Sequence, residues 1–195
     1  ALPLYMASKK NNPLPIILQE QNSYPGITTR WFADKAKTIC VAFNDANTHL
    51  EFDTIHTGNP VRQGIADGNP QRGFKEFKLA EDHKTIFLFG GSQGSAYLNK
   101  MMSQVVANIA GAGLQILWQT GDLEYIKYRS MESDDIRIVP FIHNMADAYA
   151  IADLIICRSG ALTLAEVTVC GKPAILIPFP FAAGDHQTKN AQALV

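Results

Sequence analysis

Short, nearly unbroken apolar runs alternate with helix-like segments through the second half of the chain, and that alternation limits the folds open to it. The runs are TIFLF from Thr85, LQILW from Leu114, IRIVPFI from Ile136, DLIIC from Asp153 and PAILIPF from Pro173. A strand that is apolar at every residue must be covered on both faces, and helices between such strands are the connections a parallel sheet requires. After the first run, Leu98, Met101, Met102, Val105, Val106 and Ile109 keep a helical spacing, and Gly111 and Gly113 end it. Residues 124–129, 145–151 and 161–171 read as three further helices. The pattern over residues 84–195 predicts a Rossmann-like α/β fold with a parallel sheet.

The first half is less regular. PIILQE from Pro15 and TICVAF from Thr38 read as strands, with a helical rhythm in GITTRWFADKA from Gly26 between them. Residues 44–80 are rich in turn formers (Asn44-Asp45, Gly58-Asn59-Pro60, Asp67-Gly68-Asn69-Pro70) and read as an interdomain connection. The chain opens and closes in helix-like sequence, so the expectation is of a fragment.

Of the 195 residues, 47% are hydrophobic and 18% charged, which is the balance of a globular chain with a core. A net charge of −1 and the lack of any Lys/Arg run give no reason to expect a nucleic-acid partner. Cys40, Cys157 and Cys170 each sit in an apolar run without C-x-x-C spacing, which predicts buried reduced thiols and a cytosolic compartment. No apolar run approaches the ~18 residues of a membrane span, and the opening residues lack the pattern of a signal peptide. There is no H-E-x-x-H, D-x-D or Cys/His cluster, so a metal site is not indicated.

In an open parallel sheet, ligands bind beyond the carboxyl ends of the strands. Four segments fall there. Gly90-Gly91-Ser92-Gln93-Gly94-Ser95 joins a strand to a helix, and reads either as a tight turn or as a cradle of amides for an anion. In CRSGALTLAE from Cys157, Thr163 and Glu166 fit a capping box; alternatively, amides around Gly160–Thr163 hold a diphosphate while Glu166 accepts ribose hydroxyls. Phe141 and Ile142 read as core or as a slot for a flat base, with His143 on the surface. In GDHQTKNAQAL from Gly184, Asp185 reads as a helix N-cap and Gln187 as a solvated residue on its first turn.

EQN from Glu20 with PGIT after it, GNPVR from Gly58, GGSQGS from Gly90, CRSGALTLAE and DHQTKNA from Asp185 follow one another as in a known family. Together they resemble the MurG family of bacterial peptidoglycan glycosyltransferases, and the likeness spans nearly the whole chain. It implies a GT-B arrangement of two Rossmann-like domains, with residues 1–60 the tail of the N-terminal (acceptor) domain. Residues 61–195 would be the UDP-GlcNAc-binding domain, lacking its C-terminal end. The implied reaction moves N-acetylglucosamine from UDP-GlcNAc to the muramyl 4-hydroxyl of lipid I (undecaprenyl-pyrophosphoryl-MurNAc-pentapeptide), forming lipid II without a cofactor or metal. The implied setting is peripheral, on the cytoplasmic face of the bacterial inner membrane, with the membrane surface as a partner.

Carried over by position, Ser92 meets the diphosphate and the Ile142 backbone meets the uracil edge. Ala161, Leu162, Thr163, Leu164, Ala165 and Glu166 line ribose and phosphates, with Glu166 on the ribose hydroxyls. Gln187 and Asn22 face the GlcNAc, and Arg62 supports the donor site. The chain departs from the family at Ser95, where Ala is common, at Gln19, where His is frequent, and in having no N-terminal glycine-rich loop with its histidine. No catalytic base is assigned, and UDP binding without turnover is expected of a fragment. Another GT-B lipid glycosyltransferase and a non-catalytic nucleotide-sugar-binding subunit are the alternatives.

Overall fold

The computed structural model describes residues 2–9 and 14–195; Ala1 and Lys10 of the helix-like opening fall outside them. The described chain divides into two compact units. The first holds residues up to Pro60 together with Pro178–Val195, and the second is Val61–Ile177. Residues 178–195 thus group with the first unit, whereas the sequence was expected to assign them to the second.

The first unit carries a three-stranded parallel sheet, β1 (Ile16–Glu20), β2 (Ala36–Val41) and β3 (Thr54–His56), in that order. Helices α1 (Leu2–Ser8), α2 (Ile27–Phe32) and, from the chain's far end, α8 (His186–Gln192) complete it. Unlike a strand covered on both faces, β1 alternates: Ile16, Leu18 and Glu20 are buried while Ile17 is exposed.

Glu20 is a carboxylate in the interior, and four donors account for its place there. Asn22 donates its amide N–H (3.0 Å) and its Nδ2 (3.4 Å) to Oε1; Gly26 N–H (2.9 Å) and Thr29 Oγ1 (2.6 Å) donate to Oε2. Burying a charge is tolerable only when its lone pairs are satisfied in this way. One side chain therefore turns the loop after β1 and fixes the start of α2, which explains why EQN and PGIT occur together.

The second unit is a five-stranded, wholly parallel sheet. Its strands are β4 (Lys84–Phe89), β5 (Leu114–Gln119), β6 (Ile136–Val139), β7 (Leu154–Cys157) and β8 (Ala174–Leu176), in the order β6-β5-β4-β7-β8. The helices are α3 (Pro70–Phe77), α4 (Ala96–Gly111), α5 (Asp122–Tyr128), α6 (Met145–Ile151) and α7 (Ala161–Val169). Period-two alternation sends Phe87 and Phe89 of β4 into one core with Leu117, Tyr149, Ile155 and Val167. It sends Leu88 into the opposite core with Leu98, Met102, Val106, Trp118 and Ile138. The buried stripe of α4 is narrower than its spacing predicts, since Met101 and Val105 face solvent. The parallel α/β fold class expected from the sequence is the one observed.

Residues 44–80 are not a plain connection, because they contain β3 and α3. Helix α3 has few apolar residues: Phe77 enters the core with Phe74 packed against it, and polar and steric contacts add to that attachment. Asn69 caps it by accepting from Arg72 N–H (2.8 Å), with Pro70 at the first helical position. Gly73 lies so close to α6 that a Cβ would sit 2.7 Å from Ile151 Cγ2. From α6, the buried Asp147 carboxylate accepts from Asn69 N–H (2.8 Å), Asn144 Nδ2 (2.6 Å) and the Arg72 guanidinium.

Hydrogen bonding and ion pairing with Arg72, then the bonds from Asn69 and Asn144, hold the Asp147 carboxyl below its usual range against the opposing effect of burial. A carboxylate whose pKa falls on folding contributes stability that is complete above its unfolded value of about 4 and is lost as pH falls through the folded value. Asp147→Asn is expected to cost about 2 kcal/mol at pH 7 and to flatten the acid limb of the stability profile. Thermal unfolding followed by circular dichroism from pH 7 to pH 3 measures both; an unchanged acid limb refutes this role for Asp147.

Candidate functional site

Strand order decides where the chemistry-bearing segments meet. From β4 the chain moves outward through β5 and β6 on one side, then returns to β7 and β8 on the other. The carboxyl end of β4 is thus the switch point of the sheet, where doubly wound folds open a crevice. Phe89, the last residue of β4, pairs with Gln119 on one side and Cys157 on the other. A cavity of about 270 Å³ opens here, lined by Phe89, Gly91, Ser92, Gln119, Phe141, Ile142, Met145, Thr163, Glu166 and Arg62.

The floor of the site shows what the glycines of GGSQGS do. Gly94 (φ +76°) lies so near the next strand's turn that a Cβ would overlap the Thr120 carbonyl, and Gly121 (φ +86°) abuts Gln93 O in return. These two glycines are required by the close approach of two backbones. Gly91 (φ +96°) has open space around it and lines the cavity. At the end of the turn Ser95 caps α4 by accepting from Leu98 N–H (3.4 Å). The turn is therefore structural at Gly94 and open to a ligand at Gly91 and Ser92.

On β7 and α7 the capping box does not form. The N-cap of α7 is Gly160, which brings no side chain to the helix end, and Thr163 and Glu166 lie inside the helix. Both side chains are thereby released from backbone duty, and both line the cavity. The Glu166 carboxylate accepts from the Arg62 fork, Nε to Oε1 at 3.1 Å and Nη2 to Oε2 at 3.4 Å, and from Tyr149 OH to Oε2 at 3.0 Å. Ala161 and Leu164 point into the interior, which confines any part they take in the site to the main chain; Leu162 is exposed and Ala165 half-buried.

Two buried polar side chains near the cavity lie outside the residues singled out in the sequence. Gln119, nearly buried at the end of β5, donates Nε2 to Gly91 O (3.0 Å) and accepts from Ile142 N–H (3.0 Å), so it fastens the glycine turn to the Phe141–Ile142 loop. Arg158, 8% exposed, donates to Ile177 O (3.1 Å) and Ser95 Oγ (3.0 Å), and burial lowers its pKa. A polar residue ending an apolar strand was the available signal in both cases.

Asn22 and Gln187 belong to the first unit. Asn22 Oδ1 accepts from Asn190 Nδ2 (3.0 Å), and Gln187 Oε1 accepts from Phe179 N–H (2.9 Å). Asp185 stands at the N-cap of α8 in a left-handed conformation and makes no side-chain cap; its Oδ1 accepts from Thr188 Oγ1 instead (2.7 Å). His143 is exposed, edge-on to Phe141. Of the thiols, only Cys157 is buried, with its pKa pushed up to about 12 by desolvation. Cys40 and Cys170 are half-buried, so the expectation of three buried thiols holds for one. Among the described residues, no cluster of three His, Cys, Asp or Glu could hold a metal, and no helix is long and apolar enough to cross a membrane.

A parallel α/β sheet with glycine-turn chemistry at its switch point defines a class of nucleotide-dependent folds. Residues 85–195 match the glycosyltransferase family 28 C-terminal domain, and the chain belongs to that family. It is 42% identical over 183 residues to the UDP-N-acetylglucosamine–N-acetylmuramyl-(pentapeptide) pyrophosphoryl-undecaprenol N-acetylglucosamine transferase of Flavobacterium psychrophilum, covering 92% of this chain and 50% of that protein. It is 40% identical over 195 residues to the enzyme of the same name from Cytophaga hutchinsonii, covering 98% and 53%. The crystal structure of Acinetobacter baumannii MurG superposes with a TM-score of 0.70 at 33% identity, covering 93% of this chain and 50% of that one. The chain spans about half the length of the curated relatives it matches.

Gly94→Ala is expected to cost about 2–4 kcal/mol, from left-handed strain and backbone overlap together. Gly91→Ala, in open space, is expected to cost only the conformational share of about 1–2 kcal/mol. Urea unfolding of both variants separates the structural glycine from the exposed one; equal losses refute the distinction.

Proposed function

We propose that the second unit binds the UDP of UDP-GlcNAc, and that the chain is the donor-binding part of a transferase that moves GlcNAc onto the lipid-linked muramyl acceptor to form lipid II. The observation that carries this reading is the Glu166 carboxylate, freed from helix capping, in one cavity with Ser92, Thr163 and the Ile142 loop. A carboxylate accepts from two vicinal ribose hydroxyls. The N-terminus of α7, whose N-cap is Gly160, carries the partial positive charge that favours a diphosphate. Phe141, Ile142 and Met145 supply apolar surface for a flat base, with the Ile142 main chain at its edge. The sequence resemblance and the names of the relatives support the same assignment.

In the proposed reaction the acceptor 4-hydroxyl, passing its proton to a general base of the acceptor-binding part of the enzyme, attacks the anomeric carbon as the bond to the β-phosphate oxygen breaks. UDP leaves with that electron pair, and the sugar's configuration inverts. The helix end and Arg62 stabilise the charge that collects on the diphosphate, which is where preorganised dipoles act most strongly. Asn22 and Gln187, carried by the first unit, are assigned to GlcNAc hydroxyls by the family resemblance. The acceptor's lipid tail sets the work at the cytoplasmic membrane surface.

Calorimetric titration of the chain with UDP tests the reading. Binding is expected, and Glu166→Ala is expected to weaken it tenfold or more, since each hydrogen bond to a charged group is worth about 1.5–3 kcal/mol. A folded sample that takes up no UDP, or a variant that binds it equally well, overturns the assignment.

A further inference from the structure

Glu166 is held by two donors of different kinds. Arg62 reaches it from a loop, and its side chain is 56% exposed. Tyr149 reaches it from the interior of α6, where it is 1% exposed and its ring stands edge-on to Phe87 and Phe89, with centroids 5.9 and 6.1 Å away. The arginine can swing away on its flexible stem; the phenol cannot move without opening the aromatic core. Burial, and next the neighbouring Glu166 charge, raise the Tyr149 pKa far above its ordinary value. Its hydroxyl therefore remains a donor throughout the range in which the protein is folded.

We propose that Tyr149 is a positioning residue of the nucleotide site, which holds the Glu166 carboxylate by Oε2 so that Oε1 is presented to the ribose hydroxyls, while Arg62 forks across both oxygens until a ligand replaces it. This rests on the reading of Glu166 as the ribose acceptor. A glutamate pinned at one oxygen by a rigid donor has less rotamer freedom left to lose on binding, which is the general advantage of a preorganised site. The exchange also has a second product. When the diol takes Oε1, the Arg62 fork is released beside a ligand that carries a diphosphate, the group such a fork matches best.

The experiment compares UDP with 2′,3′-dideoxy-UDP, which lacks both hydroxyls, by calorimetry on the wild-type chain and on Tyr149→Phe. The phenylalanine keeps the ring and its aromatic contacts, and melting curves accompany each titration. Wild type is expected to prefer UDP at least tenfold. Tyr149→Phe is expected to lose about tenfold in UDP affinity while its affinity for the dideoxy nucleotide stays within twofold. A Glu166→Asp variant, whose shorter carboxylate cannot span phenol and ribose together, is expected to show the same selective loss, and the double variant no more than either alone. A wild type that holds both nucleotides equally overturns the ribose reading, and the role of Tyr149 with it. A wild type that discriminates, with Tyr149→Phe discriminating as strongly or losing both nucleotides alike, overturns the positioning role alone. Additive losses in the double variant do the same.

Discussion

Hydrogen bonding between β4 and β7 as parallel neighbours is the interaction on which the candidate site depends. It sets Phe89 opposite Cys157, so the turns that follow the two strands leave the same edge of the sheet. Antiparallel pairing would have sent them to opposite edges. Everything in the cavity follows from that adjacency: the glycine turn after β4 and the first helical turns of α7 form its walls, while β5 and β6 supply the remaining side through Gln119, Phe141 and Ile142.

Much of this was legible in the sequence, for identifiable reasons. Strands covered on both faces are apolar at nearly every position, so β4, β5 and β7 announce themselves, and their regular spacing points to a parallel sheet. What escaped detection was built from interactions without periodicity. Helix α3 is fixed by Asp147 and the bare flank of Gly73 as well as by Phe74 and Phe77, and the first two leave no apolar trace. Residues 178–195 group with the first unit, and within it Asn190 Oδ1 accepts from Ser23 N–H at 2.8 Å, a contact between residues 167 positions apart that no local pattern encodes.

The site shows the same division. Segments with glycine were found because flexible backbone between a strand and a helix is unusual. The part each residue plays in those segments depends on neighbours that sequence does not reveal. Thr163 and Glu166 have capping-box spacing, yet the helix begins at Ala161 and makes that spacing irrelevant. Glu20 opens the EQN motif, and its side chain is the buried centre of four hydrogen bonds. In both cases a carboxylate's surroundings, rather than its motif, decide whether it builds the fold or lines the cavity.

The amide of Gln119 clasps Gly91 on one side and Ile142 on the other. Because it is buried and bonded at both ends, the two lips of the crevice cannot drift apart independently. On the proposed reading the opening behaves as a fixed caliper, with the span between the end that takes the diphosphate and the end that takes the base set before any guest arrives. A molecule possessing only one of those two ends meets half of a gauge that does not close around it.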